Sequence, residues 1–198
     1  RFKPDIAKLI AEHSSSSPTS SLEANRNAFF QHYQIIPAGP DCEAASPPQQ
    51  PGGFSWLGDG SFSVCCRCVH RATGVEYAVK IVTRHRRTES AHGASYDASI
   101  AEEALLRVCQ GHPNIVALRE MFQDESHTFI VLELLRGGEL LSRIRQRTRF
   151  TEQQALPVFR RLVSAVAYLH SRSIVHRDLK PEVGCERLLH SFKRFQSC

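Results

Sequence analysis

The sequence predicts an α+β chain in two lobes, a strand-rich part followed by a helical part. Short β-type runs punctuated by glycine and proline turns fill residues 54–135. Helical periodicity then takes over, with Phe159, Leu162, Val163 and Val166 at i, i+3, i+4 and i+7. No internal repeat interrupts this order.

The 198 residues suffice for one ordinary domain with a tail, and a hydrophobic fraction of 41% supports a packed core. The net charge of +5 is spread, with small clusters at Arg84–Arg87 and Arg143–Arg149. Solvated surface is the plain reading of both; the first could also meet an acidic partner, and neither requires nucleic acid. No signal peptide is visible, and the apolar run Phe129 to Leu135 is too short to span a bilayer, so no membrane role is expected. The sequence starts at Arg1 rather than Met, which suggests a fragment. Seven cysteines without a secretory signal suggest reduced thiols in a nuclear or cytoplasmic protein.

Residues 1–53 read as a Ser/Pro-rich linker, mostly disordered, because Ser14 to Ser21 and Ser46 to Gly53 offer little apolar surface against chain entropy. A short helix over Asp5–His13 is one exception. Phe29 to Ile36, rich in aromatics, docks or starts a strand. Ser17-Pro18 and Ser46-Pro47 fit proline-directed phosphorylation as well as plain linker.

Trp56 to Cys65 reads as strand, glycine turn, strand. Glycines let a backbone lie close over phosphates, whose oxygens its N–H groups then contact. Ser63 stands where a third glycine would complete the G-x-G-x-x-G pattern. Glu76 to Val82 is a β-type run carrying one cation, Lys80, among apolar neighbours; such a Lys is paired, or it sits at an edge with its head in solvent. A helix over Ser99–Cys109 offers Glu102 or Glu103 as the partner. Gly111-His112-Pro113-Asn114 forms a turn, and Ile115–Met121 and Thr128–Leu135 read as strands. Gly137-Gly138-Glu139-Leu140 ends the second and begins a helix. Thr151 and Gln154 form a capping box for the next helix, which Pro157 should bend or shift. After it comes Ile174-Val175-His176-Arg177-Asp178-Leu179-Lys180-Pro181-Glu182, which sets a carboxylate and a cation two positions apart.

Cys65, Cys66, Cys68 and His70 invite a metal reading. On a strand, neighbours two apart lie about 6.6 Å from one another, too far to converge on one tetrahedral ion. Small, half-buried residues are the better reading, and no metal site is assigned.

The glycine turn, Ala78-Val79-Lys80, the Glu-bearing helix, Glu133 to Glu139 and His176-Arg177-Asp178 occur in an order that resembles the eukaryotic serine/threonine protein kinases. Gly60 to Cys65, Gly111 to Val116 and Glu133 to Leu140 look most like the C-terminal kinase domain of mitogen- and stress-activated kinases, with the p90 ribosomal S6 kinases as close relatives. Phe30-Gln31-His32-Tyr33 is similar to the segment just before that domain. The resemblance implies a protein-kinase-like fold. Its antiparallel β N-lobe with one regulatory helix covers 54–135, and the first helices of an incomplete C-lobe cover 136–182. Residues 183–198 are a divergent tail.

The resemblance also implies roles. Leu57, Cys65 and Ala78 would line the adenine pocket of ATP, while Gly58, Asp59, Gly60, Ser61, Phe62 and Ser63 cover its phosphates. Lys80 would contact the α/β-phosphates and pair with Glu102. Leu132 resembles the gatekeeper, Glu133 and Leu135 the hinge, and Glu139 the ribose contact. Asp178 would be the catalytic base and Lys180 the phosphate contact during transfer.

Partners implied are protein substrates with Ser or Thr and an upstream MAP kinase. Three departures qualify this. Lys80 and Glu102 are 22 positions apart, an insertion relative to such relatives. A Pro-rich insertion separates Ile36 from Gly58 and leaves the first strand uncertain. Val183 stands where H-R-D-x-x-x-x-N requires Asn, and no D-F-G follows, so the Mg²⁺ ligands expected for the family are absent. The chain is therefore expected to be either the kinase its motifs name or a non-catalytic nucleotide- or partner-binding product. As given it should be inactive, with a folded or nearly folded N-lobe and a frayed, sticky C-terminal part, the apolar face of the 152–170 helix having lost the core it would pack against.

Overall fold

The computed structural model describes residues 5–14, 28–38, 54–59, 63–84, 104–136, 140–176 and 179. The chain divides into two compact units, residues 1–96 with 119–134 and residues 97–118 with 135–198. No helix among the described residues is long and apolar enough to cross a membrane.

The first unit holds α1 (Ile6–Ser14), α2 (Ala28–His32) and six strands: β1 (Tyr33–Ile35), β2 (Trp56–Asp59), β3 (Ser63–His70), β4 (Glu76–Thr83), β5 (Leu118–Gln123) and β6 (His127–Glu133). The sheet runs β1-β3-β4-β6-β5, with β2 also beside β3. β3 and β4 join through a tight turn in which Gly74, at φ 67°, donates its N–H to the His70 carbonyl at 2.8 Å. A left-handed residue suits glycine there.

The sheet's first edge resolves the uncertain first strand. Tyr33, Gln34 and Ile35 pair with His70, Val69 and Cys68. The Ile36 N–H donates to Arg67 and its carbonyl accepts from Ser55, whose own carbonyl accepts from Arg67, each at 2.9 Å. Trp56 then continues opposite Cys66. One edge strand thus runs from Tyr33 to Asp59 in two pieces, and the intervening chain leaves and returns at the Pro37–Phe54 bridge. The insertion costs the edge no backbone hydrogen bond at the splice, which is why it is tolerated.

Of residues 1–53, read mostly as linker, the structure describes 5–14 and 28–38, where a short helix and a docking or strand-starting segment were expected. Asp5 caps α1, its carboxylate accepting from the Lys8 N–H at 3.1 Å. Ile6 and Leu9 then bury at 6% and 4% exposure in a core that also takes Phe29, Tyr33 and Ile35. Phe29 lies parallel to Phe129 at 4.7 Å and to Tyr33 at 5.4 Å, with Phe30 and Phe122 edge-on to it. These rings cover one sheet face, formed by Val64, Cys66, Cys68, Val79, Ile81, Phe129 and Val131. Ser-rich composition nearby hides this, because a few large side chains supply the burial that average composition dilutes. The remaining linker residues, with Ser17 and Ser46, lie outside the described residues.

The second unit holds α3 (residues 104–108 among the described residues), α4 (Leu140–Gln146) and α5 (Glu152–His170). Residues 97–118 group with this unit. His112, in the turn after α3, lies tilted against Tyr168 of α5 at 4.5 Å, and its Nε2 meets Ser164 Oγ at 3.3 Å. Thr151 caps α5 with both bonds of the capping box, Gln154 N–H to Thr151 Oγ1 at 3.3 Å and Thr151 N–H to Gln154 Oε1 at 3.2 Å. The helix starts at Glu152 and runs through Pro157 without a shifted start. The strand expected at Ile115 begins instead at Leu118, because Ile115 and Val116 are buried in the turn ahead of the sheet.

His112 carries a testable pH dependence. Its Nδ1 accepts from the Asn114 N–H at 3.2 Å, which places the ring proton on Nε2, facing Ser164. Burial, then the neighbouring Arg172 charge, lowers its pKa below the ordinary 6.5. The unfolded chain therefore takes up this proton first as pH falls. The contribution is present above about pH 6.5 and is lost as pH drops through the depressed folded value. Urea midpoints for wild type should fall between pH 6.5 and 5 more steeply than for His112→Phe; equal slopes would contradict this.

Candidate functional site

The face of the sheet opposite the aromatic core carries the residues predicted to hold a nucleotide. Alternation along each strand sorts them. Val64, Cys66 and Cys68 point into the core, so Cys65 points to the other face and is half-buried. On β4, Val79 and Ile81 enter the core, leaving Ala78 and Lys80 with Cys65. On β6, Phe129 and Val131 enter the core, leaving Ile130 and Leu132.

Register then aligns these across the strands. Gly58 pairs with Cys65, Cys65 with Lys80 and Lys80 with Ile130. One step along, Arg67 pairs with Ala78 and Ala78 with Leu132. Ala78, Ile130 and Leu132 are 0%, 0% and 3% exposed, a buried apolar layer. Lys80 stands about 6.6 Å from Ala78 along the strand and is half-buried. At the other end Arg67 Nη2 donates to Glu76 Oε2 at 2.7 Å, so that guanidinium is held by a carboxylate. This face therefore combines an apolar layer with the half-buried cation of Lys80.

At the rim, β2 bulges between Trp56 and Gly58, and Leu57, 43% exposed, projects at the bulge. Gly58 has φ 156°, a backbone few other residues adopt, with open space around it. Asp59 pairs with Val64, and Ser63, at the start of β3, pairs with Val82. Glu133 ends β6 opposite Tyr77. The division between the units falls between Leu134 and Leu135, so Leu135 begins a stretch of the second unit.

Gly60, Ser61, Phe62, Glu102, Glu139, Asp178 and Lys180 lie outside the described residues. The structure adds Ile130, which sequence reasoning did not single out. Its signal was present, since it shares parity with Leu132 on a strand whose other residues are equally apolar.

The three cysteines of β3 divide between the two faces. Burial pushes the Cys66 and Cys68 thiols up to about 12, so both stay protonated inside the core. Among the described residues no three His, Cys, Asp or Glu side chains gather to hold a metal. The side chain of Val183, at the position where the pattern needs Asn, has no lone pair to donate to a metal.

Residues 54–183 match the protein kinase domain family. The chain is 50% identical over 127 residues to human ribosomal protein S6 kinase alpha-4, covering 64% of this chain and 15% of that protein. It is 46% identical over 125 residues to mouse ribosomal protein S6 kinase alpha-1, covering 63% of this chain and 16% of that protein. Human ribosomal protein S6 kinase alpha-2 is likewise 46% identical over 125 residues. The chain thus spans about 15% of the length of the curated relatives it matches. The matched span takes in the bulged glycine strand, Lys80 and the His176-Arg177-Asp178 motif together, and the chain belongs to the protein kinase domain family.

Proposed function

We propose that this chain carries the ATP-binding sheet of a serine/threonine protein kinase that acts in stress or mitogen signalling, and that a polypeptide of these 198 residues binds nucleotide without transferring phosphoryl groups. The observation that supports binding is the alignment of Gly58, Cys65, Lys80 and Ile130 across four strands. Adenine lies on Ala78 and Leu132, and Lys80 meets the phosphates. In this reading Glu133 and Leu135 bond the base edge, Glu102 pairs with Lys80, and Glu139 takes the ribose.

The second half rests on Val183. Kinase chemistry is mostly positioning and charge neutralisation on the transferring phosphoryl group, and the metal supplies much of both. Asp178 can accept a hydroxyl proton only once that phosphoryl group is held in line. With full metal ligation the same residues would serve protein Ser and Thr hydroxyls, under an upstream MAP kinase, in a nuclear or cytoplasmic setting.

Incubation of the purified chain with labelled ATP, Mg²⁺ and a Ser-containing peptide should give no more transfer than its Asp178→Asn variant. Robust transfer that Asp178→Asn abolishes would overturn the inactive half of this reading.

A further inference from the structure

Arginine stands at every second position where α4 ends, at Arg143, Arg145, Arg147 and Arg149, and no Asp or Glu stands between Glu139 and Glu152. All four are exposed. None is held by a carboxylate among the described residues. A guanidinium presents five donors in a fixed fork that matches a carboxylate or a phosphate. This row of forks therefore suits a partner surface that carries carboxylates.

The same stretch holds one hydroxyl. Thr148 lies exposed in the turn after α4, at φ 66°. A β-branched residue in the left-handed region is uncommon and marks a sharp turn. The Thr148 N–H donates to the Arg145 carbonyl at 3.2 Å, while its hydroxyl has no partner among the described residues. α4 has no buried residue, so drawing its last turn out into a partner's groove uncovers no core. Once extended, the chain sets Arg145 about 10 Å and Arg143 about 17 Å ahead of Thr148. Two nearby hydroxyls differ. Thr151 Oγ1 accepts from the Gln154 N–H at the head of α5. Ser164 also follows an arginine by three positions, Arg161, but it lies inside α5 and its Oγ meets His112 Nε2 at 3.3 Å.

We propose that Thr148 is a phosphorylation site for a separate, arginine-directed protein kinase whose substrate groove carries carboxylates for Arg143 and Arg145. Thr148 Oγ1 attacks the γ-phosphorus of ATP held by that enzyme. The bond from this phosphorus to the β–γ bridging oxygen breaks, ADP leaves, and the hydroxyl proton passes to the enzyme's base. Arg147 and Arg149, on either side, then offset the charge of the new phosphate. This chain is the substrate in that step, whether or not it binds nucleotide itself.

The test incubates the full chain with ATP and a purified kinase that requires Arg at the third and fifth positions before its target. Peptide fragmentation then maps the product. Phosphate should appear at Thr148 and not at Thr151 or Ser164, and Thr148→Ala should remove it. The Arg143→Gln/Arg145→Gln variant keeps good helix formers at two exposed positions, and it should slow the modification about tenfold or more. A bare Thr148, phosphate at Thr151 or Ser164 in its place, or an unchanged rate in the double-glutamine variant would overturn the proposal.

Discussion

Replacing Phe29 by alanine is expected to lower the unfolding free energy by about 3–5 kcal/mol. Phe29 is 1% exposed and sits at the centre of the ring cluster, parallel to Phe129 and Tyr33 and met by the edges of Phe30 and Phe122. Alanine would remove the shared contact surface of four rings. None of them can collapse into the space without leaving its place against the sheet. A domain stable by roughly 5–15 kcal/mol would lose a large part of its margin. Trp56, the only tryptophan, packs against the same core and reports unfolding by its fluorescence. Urea titration should show a clearly lower midpoint with an unchanged slope. Phe30→Ala, half-buried at the cluster's edge, should cost less. A Phe29→Ala midpoint close to wild type would mean that α2 and β1 merely lie against the kinase sheet.

The second large effect concerns Lys80. Lys80→Met keeps the length and the aliphatic stem on the sheet but removes the cation. A charge-assisted contact contributes about 1.5–3 kcal/mol, so ATP affinity should fall about 10- to 100-fold. Adenosine, which has no phosphates, should bind the variant as it binds wild type. The split between the two ligands matters more than the loss itself. A misfolded sheet would weaken both, and a Lys80 turned to solvent would weaken neither.

Much of the first unit was legible. Alternation in β3 and β4 and the near-continuous apolar run of β6 follow from burial on one or both faces. The Lys-bearing strand β4 formed over the β-type run that suggested it. The capping box at Thr151 was visible because it is local chemistry, two side chains three residues apart. What resisted reading was non-local. Tyr33–Ile35 is a three-residue strand whose partner, β3, lies beyond an insertion, and its continuation at Ser55 is chosen by hydrogen bonds to Arg67 that no local pattern announces. Periodicity marked Phe159 and Val163 as one apolar face of α5 but could not say which faces the unit itself would cover; Ala165 and Leu169 took that place. The expectation of a frayed C-terminal part is corrected over α5, which is capped at Thr151 and continuous from Glu152 to His170.

The most direct test of a nucleotide on this face is the thiol of Cys65, half-buried beside Gly58 and Lys80 and opposite in facing to the buried Cys66 and Cys68. Intact-mass and peptide analysis after treatment with an electrophilic adenine analogue should show an adduct at Cys65, none at Cys66 or Cys68, and marked slowing with saturating ATP. No adduct at Cys65, or labelling at the same rate with and without ATP, would contradict the placement of ATP on the β2–β3–β4–β6 face.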